Sequence, residues 1–190
     1  MKRFCLFMLM ALATSAMMAL NDNPTEVTTS YGSFDLPANN AKANDENVWQ
    51  HTDLTDGTKI TARACLYTVG KASHDDGFLV LSEVIYADDK SPLTLADAKE
   101  YATYSSACNK TGTRIIWGTD DSDILRGSLL RKDPYIDNGI LKYAMYRRNI
   151  LVKEKNDKIY IITVTYDISR NSMQDAENLI DGICKSWKVK

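Results

Sequence analysis

Apolar residues recur at every second position over most of this chain and at every third or fourth in two stretches, which predicts strands interrupted by two helices. A short strand is expected over 31–37 (YGSFDLP) and a polar, Asn-rich loop over 38–47. Strands 48–53 and 58–69, joined by a Thr55-Asp56-Gly57 turn, should form a β-hairpin. In its second strand Ile60, Ala62, Ala64 and Leu66 alternate with Lys59, Thr61, Arg63, Cys65 and Tyr67, which assigns the two sets to opposite faces. Residues 70–77 (GKASHDDG) suit a loop, and 78–86 a strand apolar enough on both faces to lie inside a sheet. Thr94 followed three residues later by Asp97 marks a helix start. That helix should run to about Cys108, with Leu95, Ala98, Tyr101, Ala102 and Ser105 as its inner stripe. Strands return over 113–118, 125–131, 140–153 and 158–168, the last two as a hairpin about residues 154–157. Ser172 and Asp175 open a terminal helix whose Ala176, Leu179, Ile180, Ile183 and Trp187 fall at helical spacing, with Lys185, Lys188 and Lys190 suited to its negative end.

Composition breaks near residue 20. Lys2 and Arg3 precede an apolar run from Phe4 to Ala13, small residues follow around Thr14 to Ala16, and no acidic residue interrupts. This is the pattern of a secretory signal peptide over 1–20, so a secreted or periplasmic location is expected after cleavage. A flexible lead-in over 21–30 and one domain over 31–190 would remain. Of 23 basic and 25 acidic residues, the first twenty positions hold two basic and none acidic, leaving 21 against 25 and a net charge of −4. Nucleic acid is an improbable partner for such a chain. A lipidated Cys would have to follow the apolar run, whereas Cys5 precedes most of it, so no stable membrane anchor is expected.

Cys65, Cys108 and Cys184 remain after cleavage, too far apart in sequence for a CxxC pair. They could form one disulfide and leave a thiol, or stay as three thiols. A nucleophile elbow, zinc-protease helix, phosphate loop and dinucleotide fingerprint are all missing, which leaves no catalytic residue to name and no cofactor or metal site. His51 and His74 fall in strand-end or loop positions, where solvated roles are expected. Asp120, Asp121 and Asp123 lack calcium-loop spacing and suit a turn, as do Asp75/Asp76 and Asp88/Asp89. The surface feature that stands out is basic and aromatic: Lys142, Tyr143, Tyr146, Arg147, Arg148 and Lys153 on the long hairpin could grip an acidic or aromatic partner, or guard an edge.

FDLP near residue 34, the TDGTKI turn, SPLTLADAKEY before the first helix, KIYIITVTYD in the last long strand and the closing SW together resemble the PsbP/DcrB-like α/β/α sandwich family over about 31–189. The resemblance lies in order and pattern, without a catalytic motif. It implies an α+β fold, an α/β/α sandwich with a central mainly antiparallel sheet and helices packed on its faces. It also implies an exported accessory or binding protein of the cell envelope that holds a protein partner or small ligand. The alternative is an exported enzyme with a Cys- or carboxylate-based site.

Overall fold

Strands that are apolar on both faces need cover on both, and the chain meets this with two cores separated by one sheet. A computed structural model describes residues 23–70, 77–118 and 123–190, with the backbone alone for 47–51 and 109–110. The signal peptide expected over 1–20 lies outside the described residues, as do His74, Asp75, Asp76, Asp120 and Asp121. No described helix is long and apolar enough to cross a membrane.

In chain order the elements are β1 (Thr25–Thr29), β2 (Gly32–Leu36), β3 (Asn40–Lys42), β4 (Asn47–Asp53), β5 (Lys59–Gly70), β6 (Gly77–Ala87), α1 (Leu95–Ser105), α2 (Cys108–Thr111), β7 (Ile116–Trp117), β8 (Leu125–Asp137), β9 (Ile140–Lys155), β10 (Lys158–Asp167), α3 (Met173–Ser186) and β11 (Lys188–Val189). Eight strands make the main sheet in the order β3-β5-β6-β10-β9-β8-β7, with β4 also paired to β5. Every pairing within it is antiparallel. The second sheet has the order β1-β2-β11. Its close pairing depends on Gly32, because a Cβ there would sit 2.5 Å from the Lys188 carbonyl oxygen.

On one face of the main sheet Cys65, Tyr67, Val80, Val84, Ile162 and Val164 pack with Leu179, Ile180 and Ile183 of α3 and with Tyr31, Phe34 and Leu36 of the small sheet. On the other, Ile60, Ala62, Ile85, Ile150, Val152 and Ile161 pack with Ala98, Tyr101 and Ala102 of α1. Each fully buried Ile or Leu contributes about 1.5–3 kcal/mol relative to exposure. The helix starts follow the sequence: Asp97 accepts from the Thr94 amide at 2.7 Å, and the Ser172 hydroxyl accepts from the Gln174 amide at 3.2 Å.

The expected α/β/α sandwich is corrected. Strands take 54% of the described residues and helices 18%, and large antiparallel sheets dominate. The physical reason is area: α1 and α3 have 11 and 14 residues, hence lengths of about 16–21 Å, against a sheet about 29 Å across. Part of the cover beside α3 is itself a sheet. Residues 25–29, expected in the flexible lead-in, form β1, and the expected loop 38–47 contains β3. The first helix stops at Ser105 rather than Cys108, because Ala107 takes a left-handed conformation with φ +53° before the single turn of α2.

The strand expected over 125–131 continues to Asp137, passing through Pro134. Proline is tolerated there because β8 has lost β7 as a neighbour and is an edge. β10 ends opposite Tyr146, and past it residues 132–137 and 140–145 extend as a two-stranded arm. The base of the arm is bordered by residues 167–170, where the Ile168 amide donates to the Met145 carbonyl at 2.9 Å. Asn138 and Gly139 close it with φ values of +51° and +76°, the both-positive geometry of a tight hairpin turn.

The C-terminal segment is tied down by side chains from the sheet. Lys153 donates to the Trp187 carbonyl at 3.1 Å, lies 5.2 Å from the centroid of its ring and pairs with Asp123 at 3.3 Å. Lys155 donates to the Val189 carbonyl at 2.9 Å. Lys153→Met keeps the aliphatic stem but leaves that carbonyl without its donor. Urea denaturation should show a loss of about 1–3 kcal/mol, whereas Lys42→Met at the surface should change stability by less than about 0.5 kcal/mol.

Candidate functional site

The cover on the α3 face stops short of the sheet's end and leaves a groove of about 840 Å³. Alternation on neighbouring strands builds it: Arg63 of β5 and Tyr160 of β10 both pair with Val84 of β6, so their side chains share one face. Tyr86 lies two residues further along β6. Tyr31 closes the groove on the side of the small sheet, and the turns carrying Lys90 and Asp157 complete its rim with Lys158 and Lys190.

Two of the tyrosines are already fixed. The Tyr31 hydroxyl donates to the Ser82 carbonyl at 2.6 Å, and the Tyr160 hydroxyl to the Lys190 carbonyl at 2.6 Å. Burial pushes both phenols up from their ordinary range, so neither supplies a phenolate at neutral pH. The charges of the lining are uneven: Arg63, Lys90, Lys158 and Lys190 outnumber Asp88 and Asp157, although Lys190 Nζ donates to the Thr29 carbonyl at 3.3 Å. Asp88 is partly committed, since Thr61 Oγ1 donates to it at 2.5 Å. Beside the rim, partial burial works to raise the Glu46 carboxyl, but Ser30's amide and hydroxyl and the Arg63 charge outweigh it and hold it below its usual range. The groove therefore offers the half-buried Tyr86 over a floor backed by the buried Tyr31 and Tyr160, and more cationic than anionic lining side chains, with no activated nucleophile among its lining residues.

A second polar cluster lies inside the α1 core. Glu83 on β6 is 3% exposed and accepts from the Tyr101 hydroxyl at 2.9 Å. Burial pushes its carboxyl up to about 7, against the opposing pull of Tyr101 and Arg148. Arg148 in turn donates to Thr165 Oγ1 at 3.1 Å and to Ser106 Oγ at 3.3 Å. Burial and the neighbouring Arg131 guanidinium lower its affinity for its proton. No described cavity opens onto Glu83, so the cluster is a structural network inside the core.

The six residues singled out on the long hairpin are divided by the pleat of β9. Lys142, Tyr146 and Arg148 fall on the α1 face, and Tyr143, Arg147 and Lys153 on the α3 face. Arg148 and Lys153 are engaged in the interior and at the C-terminal segment, while Lys142 pairs with Asp137 at 2.5 Å on the arm. Tyr143 is half exposed beneath Lys132, whose Nζ lies 3.9 Å from the ring centroid.

No disulfide joins the described cysteines. Cys65 is buried in the α3-face core and Cys108 in the α1-face core, so the sheet stands between them. Burial raises both thiols, which suppresses the thiolate a nucleophile needs. Cys184 of α3 is half-buried against the first core. Among the described residues no three His, Cys, Asp or Glu side chains gather as a metal-ligand group.

Comparison with family models, with curated proteins and with solved structures finds no match to this chain.

The groove was not singled out by sequence pattern, because its residues come from five separate segments joined only by strand register. Glu83 did carry a signal, being the one charge within the apolar run FLVLSEVIY.

Two outcomes follow from the burial. The folded-state pKa of Glu83 is raised from 4.5 to about 7, so the folded protein binds the extra proton and stability is greatest below about pH 4.5. Unfolding measured across pH should show about 3 kcal/mol of this group's contribution lost as pH rises from about 4.5 to 7, levelling off above that, a slope that Glu83→Gln removes. In native protein Cys65 and Cys108 should resist iodoacetamide while denatured protein reacts at both, read by peptide mass.

Proposed function

We propose that this chain is an exported, noncatalytic binding or accessory protein of the cell envelope, and that the groove at the open end of the sheet holds its ligand. The observation that carries this is the combination of a half-buried tyrosine, Tyr86, over a floor closed by the buried Tyr31 and Tyr160, with four cationic side chains against two carboxylates among the lining residues. Such a cleft suits an anionic small molecule with a flat or apolar body, or the acidic end of a peptide. Aromatic faces take up the apolar part, and charge-assisted hydrogen bonds from Arg63 and the lysines fix the anion. The leader-like pattern of residues 1–20 and the resemblance in element order to PsbP/DcrB-like accessory proteins support the same reading. The enzyme alternative has less behind it, since Cys65, Cys108 and Glu83 are buried away from every described cavity.

The test uses 8-anilinonaphthalene-1-sulfonate, an anionic aromatic probe, followed by fluorescence in titrations against native protein. Saturable binding near one probe per chain is expected, weakened at least fivefold by Arg63→Glu with Lys158→Glu. Ile136→Ser, far from the groove, should leave it unchanged. Binding that ignores the two charge reversals would overturn the proposal.

A further inference from the structure

The arm formed by residues 132–137 and 140–145 is graded along its length. Nearest the turn stand aliphatic side chains: Ile136 is 75% exposed, Ile140 62% and Leu141 57%. Behind them come Tyr135, opposite Lys142, and Tyr143, opposite Pro134, both substantially exposed. Nearer the body lie Lys132 and Arg147, on the same face as Leu141 and Tyr143. On the face of Ile136, Leu141, Tyr143 and Lys132 the order from the tip is therefore aliphatic, aromatic, cationic, while the opposite face carries the Asp137–Lys142 ion pair beside Ile140.

The charges are sorted as well. Both carboxylates of this region have a cation at close range, Asp137 with Lys142 at 2.5 Å and Asp133 with Arg131 at 2.6 Å. Lys132 and Arg147 have no carboxylate partner among the described residues, and Lys132 instead lies over the Tyr143 ring. The region thus presents surplus positive charge behind an apolar tip.

We propose that this arm docks the protein on an anionic lipid bilayer by dipping its tip into the headgroup region. Three observations favour a bilayer over a protein partner or a second copy. The apolar groups radiate from both faces of the tip, Ile136 and Leu141 from one and Ile140 from the other. A protein groove of ordinary shape covers one face of a ribbon, whereas lipid surrounds it. Edge pairing with a second copy is obstructed on β8 by Pro134, which has no N–H to give. The grading matches the layers that a membrane surface presents, with hydrocarbon first, then the interface that tyrosine prefers, then phosphate.

The depth is self-limiting. A two-stranded ribbon leaves backbone groups unpaired along its outer edges, and these cannot enter hydrocarbon without loss. The two outermost residue pairs, Asp137 with Ile140 and Ile136 with Leu141, span about 7 Å. That matches the roughly 5–10 Å reached by interfacial segments. Lys132 and Arg147, set back along the same face, remain on the aqueous side of the headgroups and supply the attraction to anionic lipid. The docking is peripheral and independent of what the groove binds.

The test uses the chain from Asn21, which lacks the apolar residues 1–20 and retains both described cores. Vesicles of phosphatidylcholine and phosphatidylglycerol at 3:1, or of phosphatidylcholine alone, are sedimented with the protein in about 0.1 M salt. The protein should sediment with the anionic vesicles and at least tenfold more weakly with the neutral ones. Ile136→Ser with Leu141→Ser should lower partitioning at least tenfold, with the thermal unfolding curve checking that the fold persists. Lys132→Glu with Arg147→Glu should erase the preference for anionic lipid. Ile136→Trp should gain a blue-shifted emission component on adding anionic vesicles, relative to the unsubstituted chain. Protein that stays in the supernatant, or a tip variant that sediments as before, would overturn the proposal. So would a dimer in sedimentation velocity that the tip substitutions abolish without any vesicle binding, which would assign the arm to a second copy.

Discussion

Strands β6 and β10 carry large apolar side chains on alternate sides, and neither face tolerates water. Ile85 and Ile161 point into one core while Val84 and Ile162 point into the other, so the two cores are built from interleaved residues of the same strands. Neither core can form without setting the register of the other, because a slip of one residue exchanges the two sets. The remaining architecture answers this constraint. Helix α3, with four buried residues along one side, and the small sheet divide the work of covering one face. Helix α1 covers the other over a smaller area. Where the cover on the α3 face ends, the sheet is left open, and this is what creates the groove.

The α1 face has the weaker apolar contact, and a polar one makes it specific. Two of the three buried residues of α1 are alanines, which let the helix lie close to the sheet but bury little surface. Tyr101 reaches through this contact to Glu83, fixing how far α1 can slide or rotate. A buried carboxyl is costly if left without a partner, so any other seating of α1 is disfavoured by the unsatisfied acid as much as by lost packing. Raising the pKa to about 7 removes part of the cost, because the neutral acid needs less compensation than the ion. Arg148 extends the same logic past the end of α1 to Ser106. The network therefore supplies orientation where the apolar area is too small to do so.

Local signals in the chain were legible where local physics decides the outcome. Thr94 with Asp97 and Ser172 with Asp175 cap their helices as the spacing indicates, and the alternation in β5 assigns its faces correctly. Long-range signals were less so. The polar segment 25–29 has no apolar alternation of its own, and it becomes β1 because β2 offers an edge to pair with. The extension of β8 past Arg131 was hidden by Pro134, which is a reliable breaker of central strands but a harmless residue at an edge. The sandwich expectation failed because element order does not report how much sheet area each helix covers. Of the residues singled out on the hairpin, sequence proximity grouped six that the pleat divides by face. Arg147 and Arg148, adjacent in the chain, point to opposite sides.

Strand β9 links the two regions to which function is assigned. The arm lies at its beginning and the groove beside its end, so from Leu141 to Glu154 the strand separates them by about 43 Å. The chain beyond residue 20 carries more acidic than basic residues, and an anionic bilayer repels such a body. That repulsion falls away over a Debye length of about 8–10 Å. The six residue pairs of the arm extend about 20 Å, enough to hold the acidic body outside this range while the tip reaches the lipid. In the proposed docking the groove, at the opposite end of β9 from the arm, stands away from the bilayer surface.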